Sequence, residues 1–197
     1  SKRPFMQEVI EALSGTLAPD DSKGVAFERN TPRLLEPDTQ ENLERFFREQ
    51  HWTDYLPIVL PTEARVAAML AGTRQAPDKV VGRLSPTNFR EAWEFTVEKV
   101  AVNAVMAGAE PEHLPVILAM AASGVTARNS STTSFAGLAV VNGPIRDEIG
   151  MNCGIGAMGP YSHANVAIGR AWNLLSANLQ GGSVPGETYM GTLGNPY

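Results

Sequence analysis

A single cysteine, Cys153, occurs in a chain of 197 residues, which excludes an internal disulfide and any cysteine-rich zinc centre. Histidine is almost as scarce. His51, His113 and His163 have no metal-ligand spacing to one another or to carboxylates, so no metal site is expected. Clustered positive charge is also missing: 16 Lys and Arg face 21 Asp and Glu, for a net charge of −5. After Glu148 the sole basic residue is Arg170. Phosphate neutralisation supplies most nucleic-acid affinity, so no nucleic-acid partner is expected. No apolar run approaches the roughly 18 residues that span a bilayer, and no membrane partner is expected. Gln7, Glu8 and Glu11 interrupt the apolar stretch that a signal peptide needs after Lys2 and Arg3. The cytoplasm is the expected location.

The residues present are those of a globular chain, 43% hydrophobic and 19% charged. Glycine and proline fall between periodic segments and so punctuate elements. The reading divides the chain into an N-terminal helix and extended arm, 1–37, and a helix-rich domain with a glycine-rich loop, 38–197. Phe5, Met6, Val9, Ile10 and Leu13 give the first helix, and the polar stretch 16–37 becomes an arm that could reach a partner subunit.

Asp38, with Glu41 three residues on, predicts a helix start, followed by Leu43, Phe46 and Phe47 on one face. Pro57 and Pro61 make 52–61 extended, and Thr62 caps the next helix. A connector is expected over 73–85. The longest helix is placed at 87–107 on the stripe Phe89, Trp93, Val97, Val100 and Ala104; its second half is apolar nearly all round, which predicts a buried central helix. Another helix opens at Glu110-Pro111, and a hydroxyl-rich loop covers Ser130–Thr133. Phe135–Val141 reads as the best strand, and a last helix is expected over 162–179. The fold class is α+β: a helix-rich domain with a buried central helix and a small β-sheet.

Glu98, Lys99 and Asn103 interrupt the apolar run of the central helix. Lys99 and Asn103 share a face at four-residue spacing. Buried there, a lysine loses basicity and a carboxylate gains it, so either could move a proton near neutral pH; the alternative is a structural ion pair. Gly154-Ile155-Gly156-Ala157-Met158-Gly159 matches the dinucleotide fingerprint literally. It has no strand immediately before it and no acid at the ribose-binding spacing, so that fold is rejected. What remains is a flexible loop opening a helix, whose amides at Gly154 and Gly156 could hold an anion, or else a tight turn. Cys153 in that loop could be a nucleophile or merely a small hydrophobe. Asn165, Gly169 and Asn173 line one side of the last helix with Arg170 nearby, a candidate carboxylate or phosphate clamp; the alternative is a solvated helix face. Asn142 and Asn152 are further candidate substrate-binding residues. Thr132, Thr133 and Ser134 could add hydroxyls to the same pocket.

Several segments together are similar to a known family: Trp52-Thr53-Asp54 with Leu56-Pro57-Ile58-Val59 and Pro61–Val66, Val97–Gly108, Val141–Arg146, and Asn165 with Gly169-Arg170. They resemble the long region that accompanies the short domain of bacterial UGSC-family (seleno)proteins, over roughly residues 50–197. The resemblance implies an enzyme-like bacterial protein without naming a reaction. Ala109 occupies a place where the family often has Cys, and the Ser-Cys or selenocysteine signature is missing. A separate chain continuing the domain past Tyr197 is therefore expected.

The leading expectation is lyase, hydratase or hydrolase chemistry on a small anionic molecule, since no cofactor motif survives and the cofactor is unknown. Arg170 and the loop amides would bind, while Glu98 or Lys99 moves a proton. The alternatives are a thiol-dependent redox or nucleophilic enzyme using Cys153, and a non-catalytic subunit wrapping a catalytic partner. A homo- or hetero-oligomer is expected.

Overall fold

A computed structural model describes residues 34–84, 93–127, 137–159 and 161–180. The expected N-terminal helix and most of the arm lie outside the described residues, as do Phe89, Thr132–Ala136 and the tail from Gly181.

Helix α1, Gln40–Glu49, begins where the Thr39 hydroxyl accepts the Asn42 amide. The expected cap, Asp38, instead accepts the Thr39 amide at 2.7 Å and the Asn42 side-chain amide at 2.8 Å. The cap is thus one residue later than expected, with Asp38 bracing it. Phe46, Phe47 and Trp52 meet edge to face around this end. The 52–61 segment is extended as its prolines demand, and Thr62 caps α2, Glu63–Leu70. Val66 and Met69 of α2 are buried.

The sheet is in an unexpected place. Strand β1, Val80–Leu84, lies within the expected connector, and β2, Trp93–Thr96, lies within the expected long helix. The two form an antiparallel pair with an irregularity between Val80 and Gly82. Phe95, 1% exposed, lies against Gly82; a Cβ there would sit 2.3 Å from the ring, so only glycine admits it. The central helix α3 is consequently short, Val97–Met106, starting where Thr96 caps Lys99. Trp93, Phe95 and Thr96 suit a pleated surface as well as a helix, and pairing with β1 decides between the two.

Helix α3 is the buried centre, with Val97, Val100, Ala101 and Ala104 fully enclosed. It packs against α2, against α4 (Leu114–Ala122) and against α6 (His163–Asn178). A 3-10 turn, Pro111–His113, leads into α4, and the short α5, Ile145–Glu148, precedes the glycine loop. Helix α6 is capped by Ser162 and buries Ala164, Ile168, Ala171, Leu174 and Leu175. Residues 137–142, the described part of the expected best strand, belong to no sheet. Their β-branched and apolar composition finds no partner strand among the described residues. The architecture is a helix-rich α+β domain around a buried central helix with a small two-stranded sheet.

Candidate functional site

The glycine loop is built from the side chain of Asn165, one turn into α6. Its Oδ1 accepts the Asn152 amide at 3.1 Å and the Ser162 hydroxyl at 3.0 Å. Its Nδ2 donates to the carbonyls of Asn152 at 2.9 Å and Ala157 at 3.1 Å. A side-chain amide carries the same donor and acceptor as a peptide, so Asn165 pairs with Asn152 as a strand neighbour would. Asn152 closes the loop from within: its Oδ1 accepts the Gly154 amide at 3.0 Å, and its Nδ2 donates to Ile155 O at 3.0 Å. Gly156 has φ +79°, a conformation that favours glycine.

This clasp alters the roles expected from sequence. Asn152 and Asn165 hold backbone, and the Gly154 amide is taken by Asn152, so these groups are not arranged as an anion cradle. Cys153 is exposed on the clasped loop. Arg146 lies within electrostatic reach of it. The Asp147 carboxylate, through its hydrogen bonds and then its charge, raises the Arg146 guanidinium above its ordinary value, and Cys153 adds to this. Two of the Arg146 guanidine nitrogens meet Asp147 at 2.9–3.2 Å.

Arg170 does not join the loop. Its guanidinium makes a two-point ion pair with Asp54 at 2.9 and 3.0 Å and donates to Pro57 O at 2.7 Å. With side chains 15% and 5% exposed, the pair is nearly enclosed. It fastens the 52–61 segment to α6, where a clamp for an anion was expected. The missed partner, Asp54, is 116 residues away, and nothing local in the sequence links the two.

The central helix also departs from expectation. Lys99 is exposed and Glu98 is half-buried, because the first turn of α3 emerges from β2 at the margin of the core. Asn103 is buried, but its Nδ2 donates to the Lys99 carbonyl at 2.9 Å and its Oδ1 accepts from Asn178 at 2.8 Å. Asn178 also donates to Trp52 O. Asn103 therefore meets the end of α6 opposite Asn165, which lies about 20 Å of helix away at 1.5 Å per residue. Glu98, Lys99 and Asn103 are not gathered around the glycine loop.

A histidine pair that sequence reasoning set aside lies where α6 begins. His163 Nε2 meets Gly108 O at 2.9 Å, and its ring contacts that of His113 at 5.5 Å between centroids. His113 is 3% exposed, and its Nδ1 accepts the Glu110 amide at 3.0 Å. The neutral ring thus carries its proton on Nε2. Burial lowers its pKa; Glu112 and Glu110 oppose the shift, while His163 reinforces it. Among the described residues no group of three or more His, Cys, Asp or Glu is placed to hold a metal ion.

Beyond α4 an open groove of about 600 Å³ runs beneath 138–142, lined by Val116, Ala119, Met120, Leu138, Val140 and Trp172. Asn142 and Ser123 are its polar members. Asn142, expected to bind substrate, is exposed and lines this groove. The Trp172 indole N–H donates to Val125 O at 2.9 Å, which fixes the groove floor. Among the described residues no helix is long and apolar enough to cross a membrane. No family model, no curated protein and no solved structure matches the chain.

Proposed function

We propose that this chain is the scaffold domain of a bacterial, cytoplasmic small-molecule enzyme of the UGSC type, with thiol-dependent chemistry at Cys153. The observation that carries the reading is the Asn165 clasp. Three polar contacts from one side chain hold the loop on which Cys153 is exposed, and a fourth ties that side chain to the Ser162 cap of its own helix. A nucleophile gains most from a fixed approach geometry, and a rigid loop at a helix start provides one. In the nucleophilic version the Cys153 sulfur adds to the β-carbon of an α,β-unsaturated small acid or thioester: the S–C bond forms as the C=C π bond opens, and the α-carbon takes a proton from water, with Arg146 in electrostatic reach of the sulfur. The lyase or hydratase version built on Lys99 and Arg170 has less support, since Lys99 is exposed and Arg170 is engaged by Asp54.

Intact-mass analysis with a panel of small α,β-unsaturated acids and thioesters tests this, because the chain has one thiol. The folded protein is expected to form a Cys153 adduct roughly tenfold faster than free cysteine, and Asn165→Ala to lose that advantage. A rate no faster than free cysteine sinks the proposal.

The second reading, a non-catalytic subunit, is favoured by one observation. The loop tip and the groove both leave large apolar side chains in water, among them Ile155 and Val140. A chain that binds a separately expressed catalytic partner and forms no adduct with the panel would support it.

A further inference from the structure

Glu110 and His113 hold each other across the turn that joins α3 to α4. The Glu110 amide donates to His113 Nδ1 at 3.0 Å, and the His113 amide donates to the Glu110 carbonyl at 2.9 Å. The turn is a single 3-10 stretch, Pro111–His113, and such hydrogen bonds are poorer than those of an α-helix. The His113 ring is nevertheless buried, and α4 begins directly after it with the fully enclosed Leu114. A titratable ring therefore stands in the core and closes the turn through a nitrogen that must keep its lone pair.

That requirement makes the contact conditional. A neutral imidazole protonated on Nε2 accepts at Nδ1, whereas an imidazolium donates from both nitrogens and accepts at neither. On protonation the Nδ1–H and the Glu110 N–H become two donors facing each other, and no rotation of the ring restores an acceptor. His163 differs. Its Nε2 meets the Gly108 carbonyl and so donates in either charge state, which lets that contact survive protonation. The two rings lie 5.5 Å apart, so a charge on the exposed His163 opposes one on His113. Burial opposes it most, and Glu112 and Glu110 on the turn itself favour it. Of the neighbouring helices, α4 contains no ionisable side chain. Those of α2 (Glu63, Arg65) and α3 (Glu98, Lys99) lie in first turns, at the ends away from this one. On α6 the next ionisable group, Arg170, is two turns on and held by Asp54.

We infer that protonation of His113 opens the 110–113 turn while the helices on either side stay folded, which makes the turn an acid-sensitive catch at the start of α6. The helices persist because α3 and α4 are held through their own buried faces. Gly108, whose carbonyl anchors His163, lies two residues before Glu110. Release of the turn consequently loosens the first turn of α6, and with it the loop that Asn165 holds. The opening is independent of the function proposed above; only its consequence for Cys153 rests on that reading.

Amide hydrogen exchange of the whole chain, resolved by NMR between about pH 7.5 and pH 5, tests this. Uptake of one proton per opening lowers protection by up to about tenfold per pH unit below the ordinary histidine range, and a fall of roughly tenfold at Glu110 is expected across the series. Exchange at Glu110 should ignore urea below about 1 M while Ala104, inside α3, responds to it, because local opening exposes little surface and global unfolding much. The Asn152 amide is expected to lose protection over the same pH range as Glu110. His113→Asn puts a side-chain oxygen at the place of Nδ1, an acceptor that does not titrate, and should make Glu110 protection independent of pH. Protection at Glu110 that stays flat in the wild-type chain would overturn the inference, as would a fall that persists in His113→Asn. A urea response at Glu110 equal to that of Ala104 would overturn it too, since the turn would then open only with the whole domain. An Asn152 amide that stays protected while Glu110 exchanges would break the link to α6. No thiol reagent enters the measurement, so its outcome is separate from the reactivity of Cys153.

Discussion

Replacing Arg170 by Met removes a guanidinium that ties the 52–61 segment to α6. The structure sets the size of the effect. Both side chains are nearly enclosed, at 15% and 5% exposure, and the pairing is two-point at 2.9 and 3.0 Å. Breaking such a pair from one side costs about 3–5 kcal/mol, because the remaining charge stays in the interior without that partner. For a chain of this size that corresponds to a fall in Tm of roughly 6–20 °C. Urea unfolding of the wild type, Arg170→Met, Asp54→Asn and the double variant measures it. The double variant is expected to lose at least about 1 kcal/mol less than the sum of the singles, since the second substitution removes a charge the first left behind. A single-variant loss under about 1 kcal/mol, the range of an exposed pair, would refute the assignment. The same variants test the rival role. If Arg170 were an anion clamp that Asp54 merely occupies, Asp54→Asn would raise affinity for small carboxylates; on the present account it does not.

Asn165→Ala removes four half-buried polar contacts and should cost about 2–4 kcal/mol in urea unfolding, with Asn165→Asp recovering only part, since a carboxylate cannot donate to Asn152 O and Ala157 O. His113 makes stability pH-dependent. Its folded pKa lies below the ordinary 6.5, so below that pH the unfolded chain binds a proton that the folded one resists. Its contribution is full above 6.5 and is lost as pH falls, with a slope of up to about 1.4 kcal/mol per pH unit. His113→Gln should flatten the urea-measured profile between pH 7 and pH 5 (roughly the range over which a histidine of ordinary pKa titrates), and an unchanged slope would contradict the assignment. Gly72→Ala places a Cβ 1.9 Å from Pro111 O, a backbone atom that cannot yield cheaply. Thermal denaturation should register a loss of at least about 1–3 kcal/mol.

What the sequence disclosed follows the range of the interaction involved. Helix α6 was legible because its apolar face repeats every turn and Ser162 caps it. The buried character of α3 was legible from its composition. Strands β1 and β2 were not, because Trp93–Thr96 continues the helical stripe of α3 and only pairing with a distant segment reveals the pleat. Phe135–Val141 shows the converse: strand-like residues over 137–141 that pair with nothing among the described residues. At the candidate site, Asn152 and Asn165 were singled out as ligand-binding residues, whereas in the structure both side chains engage backbone. An asparagine amide suits a ligand and a peptide equally, and its choice depends on a backbone brought near by folding. Asp54 and Asn178 gave no local signal, since their partners lie 116 and 75 residues away.

The proposed site requires the glycine loop to be held as firmly as the helix it opens. Amide hydrogen exchange resolved at Asn152, whose N–H donates to Asn165 Oδ1, measures this directly. Protection at Asn152 comparable to that inside α6, and lost in Asn165→Ala, is the expected result. Exchange at the rate of an open loop in the wild-type chain would show that Cys153 has no fixed platform.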